Sequence, residues 1–123
     1  MMLNAQDFRE SARRYLPRFV FDYVDGAAED EHCLDRNTSD MHHWQLTPTC
    51  LRDTKTIDYT INVFGKTWKA PLGIAPIGFS GLVRPKGDVL MARAAAAQGV
   101  PFILSTASNS RLEDIRAAAP DAQ

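Results

Sequence analysis

Cysteine is scarce in these 123 residues: Cys33 and Cys50 are the only two, and neither belongs to a C-x-x-C pair. That excludes a disulfide scaffold or a cysteine-rich zinc module, and reduced thiols of a cytosolic protein are the expectation. An excess of either charge is lacking too. Fourteen Lys and Arg stand against fifteen Asp and Glu, for a formal net charge of −1, so nothing indicates a nucleic-acid or anionic-membrane partner. No apolar run approaches the ~20 residues of a membrane span. The start, "MMLNAQDFRESARR", carries charges where a secretory signal needs an apolar core. His32, His42 and His43 lack metal-ligand spacing, and adjacent histidines project to different sides of a helix, so no metal site is expected. Neither a G-x-G-x-x-G nor a Walker A pattern is present. The remainder describes a soluble, cytoplasmic chain long enough for one small domain and not two.

What is present falls into three regimes. Residues 1–50 read as helical. Asn4 can cap a helix through "AQDFRESARRYL", with Phe8, Ala12 and Leu16 on one face and Pro17 ending or kinking it. "RFVFDYVDGAA" groups Phe19, Val20, Tyr23 and Val24, with Gly26 as a stop. Glu29–Glu31 are placed to open a third helix at the positive end of its dipole. Arg13, Arg14 and Arg18 are interleaved with apolar residues and read as a solvated helix face.

Residues 55–70 switch to period two. In "TIDYTINV", Ile57, Tyr59, Ile61 and Val63 alternate with polar residues, Gly65-Lys66 turns the chain, and "TWKA" returns as a second strand. Residues 71–123 then alternate buried strand and helix. "PLGIAPI" is an apolar run without alternation, as a strand covered on both faces would be. "GDVLMARAAAAQG" is an alanine-rich helix closed by Gly99, "VPFILSTA" a second apolar run, and "SRLEDIRAAA" a second helix. Ser110 and Glu113 have the spacing of a capping box at its start. A strand–helix repeat of about thirty residues suits a (β/α)8 TIM barrel, and any doubly wound α/β fold equally. Two parallel strands neither close a barrel nor cover a sheet, so the chain reads as the front part of a larger fold.

Such folds hold ligands where strands end. Two strand ends exist: "APIG" at 75–78 and "STASN" at 105–109. Gly78 lets a planar ligand approach the main chain, and Ser105, Thr106 and Ser108 offer hydroxyls. From spacing alone, turn chemistry and helix capping are the better explanation of both ends.

Four segments in register, "FDYVDGAAEDE", "APLGIAPIGFSGL", "RPKGD" and "LSTASNSRLED", resemble the N-terminal part of the FMN-dependent 2-hydroxy acid dehydrogenases and oxidases. The resemblance runs from about Asp7 to the end of the chain. It implies an α/β fold in which N-terminal helices and a β-hairpin precede the first two βα units of the barrel, all within a single dehydrogenase domain. It further implies FMN as cofactor and oxidation of an L-2-hydroxy acid to the 2-oxo acid, with the electron acceptor left open. Residue by residue, Tyr23 matches a tyrosine that contacts the substrate carboxylate. Pro76, Ile77 and Gly78 match the strand end whose main chain lies against the flavin. Ser105 matches a serine facing the FMN. Ala107 stands where glycolate-type oxidases carry tryptophan, and "STASN" is similar to the mandelate dehydrogenase branch, which implies a bulky or aryl substrate. The family's catalytic histidine, its carboxylate-binding arginine and its flavin-facing lysine match no position here. No catalytic residue is therefore assigned, and the isolated chain is expected to be inactive or to serve at most as an interaction module. Homo-oligomerisation and peripheral attachment to the inner face of a membrane complete the implied picture for the whole enzyme.

Overall fold

The computed structural model describes residues 2–122, which form two compact units divided after Asp53. In the N-terminal unit, helix α1 (Ala5–Tyr15) begins where the Asn4 side chain accepts the Asp7 amide at 2.9 Å, satisfying one of the orphan donors of a helix start. It ends at Leu16, one residue before Pro17. That proline then heads helix α2 (Arg18–Asp25), whose one buried residue is Val20. Proline suits this place, where its missing N–H would have no partner.

Helix α3 (His32–Ser39) starts directly after the acidic run Glu29–Glu31. Glu31 is the N-cap, and its carbonyl accepts the Leu34 and Asp35 amides at 2.9 and 3.2 Å, while Glu29 and Glu31 take positive φ, 53° and 61°. The Glu31 carboxylate accepts the Ala27 amide at 3.0 Å, and this local turn competes with helical backbone. A 3-10 turn at Asp40–His43 follows. Cys33 and Cys50 are exposed free thiols.

The C-terminal unit starts with a hairpin shorter than the alternating pattern implies. Strand β1 (Ile61–Val63) pairs antiparallel with β2 (Lys66–Trp68), in the register Ile61↔Trp68 and Val63↔Lys66. Residues 56–60 stay outside the ladder, and there the Asp58 carboxylate takes the Thr60 amide at 2.8 Å, a local bond that competes with strand pairing. That hydrogen bond also holds the Asp58 carboxyl below its ordinary pKa. The connecting residues are Phe64 and Gly65, not Gly65-Lys66. Both have positive φ (51° and 76°), the geometry that matches the twist of a tight hairpin.

Beyond the hairpin come a one-turn helix α4 (Ser80–Val83), which the sequence pattern does not suggest, then α5 (Gly87–Gln98) and α6 (Leu112–Ala118). Helix α5 ends as its sequence implies. Gly99 sits at φ 66°, its amide bonds Ala96 C=O at 3.1 Å, and the Val100 amide bonds Ala95 C=O at 3.1 Å; these are the two bonds of a Schellman end. The capping box at α6 does not form: Arg111 is the N-cap, with no side-chain cap bond. The Ser110 amide is instead taken by Ser108 Oγ at 2.9 Å.

The two apolar runs meet in parallel, at one bridge. Ile74 N–H donates to Pro101 C=O at 2.9 Å, and Ile103 N–H to Ile74 C=O at 3.0 Å. Pro71, Pro76 and Pro101 have no amide to give, which keeps the ladder short. Neither run is covered on both faces. Leu72, Ile77 and Ile103 are exposed, whereas the opposite side packs on α5 and α6 through a core of Ala92, Ile115 and Ala119 joined by Val89, Phe102 and Leu104.

Candidate functional site at the strand ends

The short parallel ladder fixes how the two apolar runs finish. Five residues beyond Ile74, the Phe79 amide donates to the Ala107 carbonyl at 2.9 Å. The segment Pro76–Gly78 therefore runs beside Ser105–Ala107, pinned at Ile74 behind and at Phe79 ahead. Phe79 adopts φ 51°, a left-handed conformation that costs an L-residue on the order of 1–2 kcal/mol. Its bond to Ala107 and its place at the head of α4 hold it there.

Pro76 and Ile77 are exposed, and Gly78, Ser105 and Ala107 are half-buried. Ser105 Oγ accepts the Ala107 amide at 3.1 Å, and Ser105 C=O accepts the Ser108 amide at 3.1 Å. These bonds close a tight turn and use the hydroxyl as an acceptor. Its proton has no acceptor among the described residues and remains available to an outside group. An open strip of main chain with an apolar side chain, beside a directed hydroxyl donor, is a shelf for a flat heterocycle with polar edges. The strip thus fits an isoalloxazine ring, whose carbonyl and ring-nitrogen edges need donors.

Of the six residues singled out by sequence, five come together here: Pro76, Ile77, Gly78, Ser105 and Ala107. Tyr23 belongs to the N-terminal unit. It lies on α2 and is 55% exposed beside exposed Phe19 and Val24, whereas Val20 faces inward. The sequence reading missed a polar pair, buried Asp88 and half-buried Ser108. Asp88, in the first turn of α5, is 1% exposed and accepts Ser108 Oγ at 2.6 Å. An acidic residue just after Pro-Lys-Gly at a helix start was the available signal; on sequence alone it reads as an exposed dipole partner.

In the N-terminal unit Arg9 and Asp25 form a forked pair. Arg9 Nε and Nη2 donate to the two Asp25 oxygens at 2.5 and 2.8 Å. The hydrogen bond from Arg9 holds the Asp25 carboxyl below its ordinary pKa. The pair ties α1 to the last residue of α2, on whose preceding turn Tyr23 lies.

Comparison with known proteins gives one family. The FMN-dependent dehydrogenases match residues 12–123. The chain is 45% identical over 112 residues to an L-lactate dehydrogenase of Caulobacter vibrioides, covering 91% of this chain and 29% of that protein. It is 40% identical over 114 residues to the (S)-mandelate dehydrogenase of Pseudomonas putida, covering 93% of this chain and 29% of that one. The crystal structure of a monotopic membrane protein, (S)-mandelate dehydrogenase, superposes with a TM-score of 0.87 at 40% identity, over 94% of this chain and 31% of the other. The chain thus spans under a third of the length of the curated relatives it matches.

Proposed function

The chain belongs to the FMN-dependent dehydrogenase family, and from that premise we propose that residues 71–123 form part of an FMN cradle for oxidation of an L-2-hydroxy acid to its 2-oxo acid. The observation that carries this reading is the pairing of the two strand ends through Phe79 N–H and Ala107 C=O. It supports a single binding edge built from residues that the family resemblance assigns separately. FMN, when bound, supplies the two-electron redox chemistry.

This chain's residues bind and orient. The main chain of Pro76–Gly78 lines the ring, and the Ser105 hydroxyl donates to its polar edge. Ala107 leaves the space that a tryptophan would fill, which favours a bulky or aryl acid, as in the (S)-mandelate dehydrogenase that the chain resembles. Tyr23 donates its phenolic proton to the substrate carboxylate, a charge-assisted bond worth about 1.5–3 kcal/mol. No residue of 1–123 is assigned as general base, so turnover needs further polypeptide. The proposed architecture is correspondingly the opening of a (β/α)8 barrel within a single domain. Homo-oligomerisation and peripheral membrane attachment belong to the same reading of the whole enzyme. Among the described residues no helix is long and apolar enough to cross a membrane.

The direct test is titration of the 123-residue chain with FMN. Saturable quenching of flavin fluorescence at one flavin per chain supports the cradle, and its absence from a folded, soluble chain overturns it. A second reading, an interaction module without flavin, draws on the exposed Leu72, Ile77 and Ile103 beside the bridge, which further polypeptide would cover. A colourless chain that binds a larger partner would favour it.

A further inference from the structure

We infer that Asp88 is a positioning residue, acting through the Ser108 hydroxyl to hold segments 76–79 and 105–109 in one geometry; that these segments form the cradle rests on the proposal above. Asp88 is 1% exposed in its unit. Its Oδ2 takes the Ser108 hydroxyl at 2.6 Å, a short, charge-assisted bond. A hydroxyl has one proton, so the 3.1 Å approach of Ser108 Oγ to Ser110 C=O is the weaker contact. The oxygen still accepts the Ser110 amide at 2.9 Å, and Ser108 is fixed as both donor and acceptor.

From Ser108 the order passes along the loop. The Ser108 amide bonds Ser105 C=O, the Ser105 hydroxyl receives the Ala107 amide, and Ala107 C=O receives the Phe79 amide. One buried carboxylate thereby reaches both strand ends, although it touches neither segment's exposed edge.

Two features argue for more than a helix cap. Asp88 Oδ1 and the nearby α4 residue Ser80 both carry a buried oxygen with no hydrogen-bond partner. Leaving such oxygens unpaired is costly, and a hydroxyl or amide at position 88 would have spared the buried charge. The junction is also tight: a Cβ at Gly87 would lie 3.0 Å from Ser80 Oγ. The start of α4, whose N-cap Phe79 carries the bond to Ala107, is linked to the start of α5 by the bonds Arg84 N–H to Ser80 C=O and Gly87 N–H to Arg84 C=O, at 3.0 and 2.9 Å.

The test uses the full chain and two readouts: amide hydrogen exchange at Phe79 and Ala107 without FMN, and the affinity and visible spectrum of bound FMN. Ser108→Ala removes the relay. Exchange at both amides should quicken about tenfold, FMN should bind about tenfold more weakly, and the bound flavin band should shift. Asp88→Asn exchanges the charge-assisted bond for a neutral one and should show the same losses in smaller measure, about threefold on each readout. Ser108→Ala that lowers Tm but leaves exchange and flavin spectrum at parental values overturns the inference, since a purely structural bond would do only that. If the parent binds no FMN while Ser108→Ala still quickens exchange, the cradle reading falls and the positioning role stands.

Discussion

The two units of this chain are held together by different physics. Residues 54–122 have a buried cluster, Ala92, Ile115 and Ala119, with half-buried Val89, Phe102 and Leu104 around it, and a buried carboxylate at Asp88. Residues 2–53 bury one large apolar side chain, Val20, and leave Phe8, Tyr15, Phe19, Tyr23 and Val24 exposed. Its polar ties include the cap at Asn4 and the exposed Arg9–Asp25 fork. The difference teaches where precision comes from. A strip of backbone can be held to a few tenths of an ångström only by elements whose own positions are locked by packing. The five clustered candidate residues lie in the unit that has a core. The sixth candidate, Tyr23, lies in the unit without such a cluster, on α2 and 55% exposed.

Substitutions can break or sharpen this contrast. The largest effect is expected at the core of the C-terminal unit. Ile115→Ala should cost about 3 kcal/mol, whereas Val20→Ala should cost roughly 1.5 kcal/mol. Urea unfolding followed by residue-resolved exchange would read both, and equal losses would erase the distinction between the units. Next comes the pocket wall. In a chimera where residues 1–123 replace the matching segment of the Pseudomonas putida (S)-mandelate dehydrogenase, Ala107→Trp should lower kcat/KM for mandelate by about 100-fold and leave glycolate far less affected. Equal losses for the two acids would show that Ala107 does not border the substrate.

Tyr23→Phe in the same chimera should raise KM about tenfold, because a hydrogen bond to a charged acceptor is lost, with flavin content unchanged. A loss of flavin with KM intact would move Tyr23 to the cofactor. The smallest effect is expected at Asp25. Its pKa is depressed in the folded chain, so its stabilisation is fully present above the unfolded value and is lost as pH falls through the lower folded one. Asp25→Asn should therefore lower Tm at neutral pH by a small margin that vanishes as pH falls below 3.8, the ordinary carboxyl value. A constant difference across that range would mean that the fork contributes through shape and not charge.

Much of this was legible in the sequence, for reasons of range. Asn4, Pro17 and Gly99 act on their own neighbours, and each sits where its local chemistry places it. The strand ends were legible because the segments "APIG" and "STASN" recur in family order. The errors share a cause. At Asp58 and Ser110, a hydrogen bond between a side chain and a nearby amide stands where the pattern implies strand or capping box. Such bonds compete with helix and strand on nearly equal terms, and periodicity does not register them.

By itself, then, the sequence determined the order of helices, hairpin and apolar runs, the candidate residues at 76–78, 105 and 107, and the family. Only the tertiary structure decided that the two apolar runs meet at a single bridge and that Phe79 joins Ala107. It alone placed Asp88 under the loop with the Ser108 hydroxyl 2.6 Å away. Local preferences are written in neighbouring residues. A bond across twenty positions exists only once packing has excluded water and brought its ends together.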